Sequence, residues 1–160
     1  MSNKIVTKEQ LVEQLQAWRV RDARVVFTNG CFDLMHVGHT RYLQAARALG
    51  DLLVVGVNSD DSVRSLEKAP DRPIVPEAQR AEVVAALGCV DFVLLFSEPD
   101  PKTLITAVQP DILVKGGDWP LDRIIGRDVV EARGGRVQTI PLVPGFSTTA
   151  LIHRIRSASA

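Results

Sequence analysis

His36 and His39 stand three positions apart around Gly38, in the run Phe27-Thr28-Asn29-Gly30-Cys31-Phe32-Asp33-Leu34-Met35-His36-Val37-Gly38-His39. A β-branched pair, Val25-Val26, precedes this run and reads as a buried strand; a helical pattern follows it at once. Imidazoles and backbone N–H groups at the mouth of a strand-to-helix turn are what phosphate oxygens need. The run therefore points to a phosphate-handling enzyme. The two established nucleotide loops are absent. There is no G-x-x-x-x-G-K-[ST], which excludes a P-loop NTPase, and no G-x-G-x-x-G after the first strand, which disfavours a dinucleotide dehydrogenase.

The elements that must position these groups can be read from the pattern. Thr7 and Gln10 have the spacing of a capping box, and Leu11, Leu15 and Trp18 follow on one helical face to about Val20. Strands are expected at 23–28, 52–57, 90–96, 111–114 and 137–142, the second of them continuously apolar. Helices are expected at 37–49, from Ser59 to about Leu66, at 76–87, from an Asp100 N-cap with Pro101 at the first helical position, at about 121–132, and after Ser147-Thr148-Thr149. Residues 67–75 read as a loop. Such alternation gives an α/β fold, a Rossmann-like five-stranded parallel sheet flanked by helices on both faces. One domain is expected over 1–160, with a leading helix in 1–22 and a catalytic core in 23–158.

The 160 residues are enough for one real core, and 46% hydrophobic with 24% charged is ordinary for a globular protein. Basic and acidic residues balance at 19 each, which argues against a nucleic-acid footprint but not against a local cation cluster for a small anion. Cys31 and Cys89 suggest neither a disulfide framework nor a zinc site, and the histidines beside Cys31 are better explained as phosphate ligands than as activators of a thiol. No signal peptide and no apolar run of about 20 residues is visible, so a cytoplasmic protein without membrane contact is expected.

Ligands of an open α/β sheet bind beyond the carboxyl ends of its strands. Four polar or glycine-rich clusters fall there: Thr28 to His39, Asn58 to Asp61, Lys115-Gly116-Gly117-Asp118, and Gly145-Phe146-Ser147-Thr148-Thr149. Taken with Arg72-Pro73-Ile74, these segments resemble the HxGH nucleotidylyltransferase superfamily, and more closely its bacterial D-glycero-β-D-manno-heptose 1-phosphate adenylyltransferases. The likeness runs from about residue 24 to 155, and His-x-Gly-His, Lys-Gly-Gly-Asp and Ser-Thr-Thr occur in the family's order.

The resemblance, with charge logic, implies roles. His36, His39 and Lys115 would be catalytic, stabilising charge on the transferring α-phosphate and the leaving pyrophosphate. Thr28, Asn29, Gly30, Phe32, Gly38, Gly117, Asp118, Ser147, Thr148 and Thr149 would bind the nucleotide, although Phe32 reads equally as core and Ser147 to Thr149 equally as a helix cap. Asp33, Asn58, Asp60 and Arg72 would bind the acceptor, with Asp33 alternatively capping the turn. Arg41, Arg123 and Arg127 are further candidate clamps that read individually as surface charges.

The reaction so implied is attack by a sugar 1-phosphate on the α-phosphorus of ATP, giving ADP-heptose for lipopolysaccharide or another surface heptose glycan. Mg²⁺ is expected, held mainly by triphosphate oxygens and water rather than by a protein metal site. A homodimer or higher homo-oligomer and a separate upstream heptose kinase are also expected. A cytidylyltransferase acting on glycerol 3-phosphate is the alternative. Those relatives resemble R-T-x-G-x-S-T before the final helix, whereas Leu142 holds the arginine position here, which leaves open the cation that replaces it. A non-catalytic nucleotide-binding regulator would be favoured by loss of a motif histidine or of Lys115, and none is lost. A flavodoxin-like carrier lacks its hydroxyl-rich loop.

Overall fold

The computed structural model describes residues 3–66 and 71–158. Residues 67–70 of the expected loop lie outside the described residues. The continuous apolar run is the centre of the sheet: β2 (Leu52–Asn58) is buried at every position. It pairs in parallel with β1 (Val25–Gly30) on one side and β3 (Phe92–Phe96) on the other. The chain then crosses back, so that β4 (Ile112–Gly116) pairs with the other edge of β1 and β5 (Arg136–Ile140) pairs with β4. The order is β3-β2-β1-β4-β5. The strand order reverses between β1 and β4, and that is where such a sheet opens a crevice for ligand.

Period-two alternation sends strand residues to two cores. Val25, Phe27, Val54, Leu94 and Leu113 pack with Leu11 and Leu15 of α1 (Lys8–Arg19), with α5 (Lys102–Val108) and with α6 (Arg127–Glu131). Val26, Leu53, Val55, Val93 and Val114 pack on the other face with Leu43 and Ala46 of α2 (Val37–Arg47) and Ala81 and Val84 of α4 (Glu77–Ala85). The short α3 (Asp60–Ser65) follows β2, and α7 (Thr148–Ala158) closes the described chain. The Thr7–Gln10 capping box forms as expected. Just before it, Lys4 to Val6 runs along the outer edge of β3, with Val6 N–H donating to Val93 O at 2.9 Å. None of the described helices is long and apolar enough to cross a membrane.

Several expected boundaries shift for physical reasons. The first strand starts at Val25 and continues two residues beyond Thr28, because Asn29 and Gly30 still pair with Gly56 and Val57. Pro101, not Asp100, is the N-cap of α5, but the Asp100 carboxylate still accepts from Lys102 N–H at 2.8 Å. The single helix expected over 121–132 is replaced by a 3₁₀ turn (Leu121–Arg123) and the short α6. Gly126 breaks it: its φ is +91°, and a Cβ there would lie 2.5 Å from Ile105 Cδ1. Gly126→Ala is therefore expected to destabilise the fold by about 1–3 kcal/mol, read as a lower denaturant midpoint with an unchanged slope.

Candidate active site

The turn after β1 is anchored from below by two ion pairs, one buried and one partly exposed. The Asp33 side chain is fully buried. Its carboxylate accepts from Arg72 Nε at 3.0 Å, from Ile74 N–H at 3.0 Å and from Val75 N–H at 2.9 Å. Burial pushes its pKa up, but the Val75 and Ile74 N–H groups and the Arg72 guanidinium outweigh that and hold it below the ordinary carboxylate value. Arg80 of α4 is buried as well. It donates to Val75 O at 2.8 Å, to Cys31 O at 2.6 Å and to Asp60 Oδ1 at 2.7 Å. Asp33 and Asp60, expected at the acceptor, both stand outside the cleft lining, and an arginine engages each carboxylate. The buried Asp33 carboxylate must be paired and pins segment 72–75 to the histidine turn, while the partly exposed Asp60 ties the start of α3 to Arg80.

His36 is the N-cap of α2: its Nδ1 accepts from Gly38 N–H at 3.1 Å. That bond fixes the neutral tautomer, with the proton on Nε2. A side chain at Gly38 would put its Cβ 2.8 Å from the His36 ring, so the cap requires glycine between the histidines. The rings stack with centroids 3.9 Å apart, and Phe32 leans on His39 at 5.5 Å. Burial lowers the pKa of His36. Burial, then the charge of His36 and of Arg72, lowers that of His39 to about 4. His39 Nδ1 is buried with no partner among the described residues.

Both imidazoles are thus neutral N–H donors before an anion arrives. His39 binds fewer protons in the folded than in the unfolded chain between its ordinary 6.5 and about 4, so stability must rise with pH across that window. The melting temperature is expected to fall as pH drops from about 7 to about 4.5, and His39→Asn is expected to lose less over the same range.

The facing wall comes from the end of β4, the segment after β5 and the start of α7. Lys115 Nζ donates across to Asn29 Oδ1 at 2.5 Å and lies 6.0 Å from the centre of the Trp119 ring. Ser147 Oγ accepts from Ala150 N–H at 3.1 Å, which caps the first turn of α7. Phe146 Cβ is 3.5 Å from where a Gly38 Cβ would stand, so the N-termini of α2 and α7 converge. Two helix N-termini, two imidazoles and an ammonium face one space, a favourable field for a polyphosphate.

That space is a cleft of about 740 Å³. Asn29, Gly30, Phe32, His36, Gly38 and His39 line it from the first turn; Lys115, Asp118 and Ser147 to Thr149 line it from the far wall. Asn58 and Arg72 line the remaining end. Thr28 does not reach it, because it points into the layer below and bonds Tyr42 Oη at 2.8 Å. Gly117 is also outside the lining, and its N–H donates to Ile140 O at 2.8 Å to hold the turn. Arg41, Arg123 and Arg127 are not lining residues either, and Arg127 pairs with Glu131 at 2.8 Å. Among the described residues the cations in the lining are Lys115 and Arg72, and Leu142, at the arginine position, is itself part of the wall.

Sequence reasoning missed Arg80, which reads as a surface charge within Glu77-Ala78-Gln79-Arg80, and it missed Tyr42, whose hydroxyl burial pushes up to about 12. It also missed the apolar rim of Trp119 and Phe146, each 49% exposed. Two aromatic side chains left that open beside a polar cleft are the available signal for a flat ligand.

A doubly covered parallel sheet with histidines and helix N-termini at its switch point defines a nucleotide-handling α/β domain. The cytidylyltransferase-like family model matches residues 27–154, and the chain belongs to that family. It is 54% identical over 156 residues to a bifunctional protein HldE of Geotalea uraniireducens, covering 98% of this chain and 32% of that protein. It is 55% identical over 153 residues to the HldE protein of Syntrophotalea carbinolica, covering 96% and 31%. The chain thus spans about a third of the length of the curated relatives it matches. Among solved structures it is similar to a lipopolysaccharide core biosynthesis protein of Thermoplasma volcanium, with TM-score 0.62, 30% identity, and coverage of 76% of this chain and 97% of that one.

Proposed function

We propose that this domain transfers AMP from ATP to a heptose 1-phosphate, giving ADP-heptose and pyrophosphate. The observation that carries the reading is the convergence of His36, His39, Lys115 and the N-termini of α2 and α7 on one cleft. Membership of the cytidylyltransferase-like family and the resemblance of the motifs to heptose 1-phosphate adenylyltransferases support it.

In this mechanism Lys115, the histidine N–H groups and the α7 N-terminus hold the triphosphate, and they hold it more tightly as charge moves to the leaving pyrophosphate. Trp119 and Phe146 flank the base, and Asp118 takes a ribose hydroxyl. Arg72, its Nε committed to Asp33, presents the rest of its guanidinium to the acceptor phosphate. A phosphate monoester with a second pKa of about 6 is mostly dianionic at neutral pH, so no general base is needed and positioning carries the rate.

Mg²⁺ would neutralise triphosphate charge. Among the described residues no three His, Cys, Asp or Glu side chains cluster as a metal site, and Asp118 is the carboxylate in the lining. That donor set suits an ion carried in on the nucleotide with its waters.

The leucine at position 142, where cytidylyl relatives have arginine, favours ATP over CTP. The sugar 1-phosphate would be supplied by a separate upstream heptose kinase, and the product would serve lipopolysaccharide or another surface heptose glycan. A cytoplasmic homodimer or higher homo-oligomer completes the reading. With ATP labelled at the α-phosphorus, the label is expected in the sugar nucleotide and none in pyrophosphate. Label in inorganic phosphate or ADP alone would refute the reading.

A further inference from the structure

Thr28 of β1 is fully buried, and its hydroxyl pairs with the Tyr42 hydroxyl of α2 at 2.8 Å. Neither hydroxyl has another hydrogen-bond partner among the described residues. Two hydroxyls bring two protons, and only one proton lies between the oxygens. If Tyr42 donated it, the Thr28 proton would be shut in without an acceptor, and a buried donor left unpaired costs the desolvation of the group. Thr28 therefore donates, and the Tyr42 proton is left over. Tyr42 lines the cleft, so that proton is offered there. Burial keeps the phenol protonated, with a pKa pushed up to about 12, so the group is a donor at any working pH.

A carboxylate stands over the same face of the sheet. Alternation puts Thr28 on the side of Val26 in β1 and Gly116 on the side of Val114 in β4, and both valines belong to the core packed on α2. A Cβ on Gly116 would lie 2.8 Å from Asp118 Oδ1, so Asp118 covers that face at the end of the strand that pairs with β1. Asp118 also lines the cleft, and after burial its charge is a further cause that keeps the Tyr42 phenol protonated. The two side chains make no hydrogen bond to each other. A ligand group between them must accept from the phenol and donate to the carboxylate. A phosphate oxygen can only accept, whereas a hydroxyl does both. In the proposed reaction Asp118 meets the ribose, the part of ATP that carries such a group.

We propose that Tyr42 donates to a ribose hydroxyl that in turn donates to Asp118, which makes Tyr42 a specificity-determining residue for ribonucleotides over deoxyribonucleotides, with Thr28 as its positioning residue. This rests on the transfer reaction proposed above. A nucleotide that lacks the hydroxyl covers the phenol proton and gives it no acceptor, and a site built around a hydroxyl rejects such an analogue for that reason.

The test is steady-state kinetics of wild type, Tyr42→Phe and Thr28→Val with ATP, 2′-deoxy-ATP and 3′-deoxy-ATP. Wild type is expected to disfavour one of the two deoxy analogues by roughly 10- to 100-fold in kcat/KM. Tyr42→Phe keeps the ring and removes only the hydroxyl. It should narrow that gap roughly 10-fold by losing activity with ATP and not with the analogue, while the KM for the sugar phosphate stays within about twofold. Thr28→Val, which removes the donor that fixes the Tyr42 proton, should give the same selective loss at smaller size. The proposal is overturned if Tyr42→Phe keeps the wild-type gap, or if it lowers kcat/KM equally for ATP and both analogues, as a merely structural role would. Titration calorimetry of the same nucleotides reads the gap as Kd without turnover. A Kd gap that Tyr42→Phe closes, in a protein that does not use heptose 1-phosphate, would fail the proposed reaction alone and uphold the role of Tyr42.

Discussion

Replacing His39 by alanine is expected to lower kcat by about 10²-fold or more, the loss that follows removal of one preorganised donor to a developing charge. The ring is fixed for this purpose on two sides, by the His36 ring at 3.9 Å and by Phe32 at 5.5 Å, and burial keeps it neutral with a pKa of about 4. A neutral imidazole can only donate one N–H and brings no charge of its own. Its contribution is therefore realised mainly as negative charge grows on the departing pyrophosphate, and kcat should fall more than the affinity for ATP. The deletion also removes a buried, unpartnered Nδ1, so at neutral pH the folded state need not suffer greatly. A folded His39→Ala protein with near-normal turnover would remove the histidine pair from the mechanism.

The second large effect is on stability. Asp33→Ala is expected to cost about 3–5 kcal/mol, the usual penalty for deleting one member of a buried ion pair, because Arg72 and the N–H groups of Ile74 and Val75 lose their shared acceptor. Asp33→Asn keeps some of those bonds and should cost less. Denaturant unfolding of the three proteins reads this directly. If Asp33 were a sugar contact, as its place in the motif suggests, the substitution would raise the acceptor KM and leave the unfolding midpoint where it was.

The difference between these two residues shows what the sequence could and could not carry. The histidines were legible because two imidazoles around a glycine, after a strand and before a helix, have few other uses. The central strand was legible because Leu52 to Val57 is apolar without interruption. The pairing of Asp33 with Arg72 and of Asp60 with Arg80 was not legible. The partners are 39 and 20 positions apart, and a charged residue in a polar-looking segment reads as solvated until the fold buries it. The helix expected over 121–132 failed for a related reason, since Ile105 of another element stands where a Cβ at Gly126 would be, and Gly126 takes a φ of +91° there. Asn58 lies between these cases. Its position after β2 marked it as a site residue, but the hydrogen bonds from its amide to Ser62 and from Ser62 to Glu98 O exist only in three dimensions.

In the proposed reaction the cleft couples a nucleoside triphosphate to a sugar 1-phosphate with release of pyrophosphate. Pyrophosphate release measured with ATP and CTP, each crossed against heptose 1-phosphates and glycerol 3-phosphate, tests it most directly. Release is expected to require both ATP and a heptose 1-phosphate. Release only with CTP and glycerol 3-phosphate would contradict it.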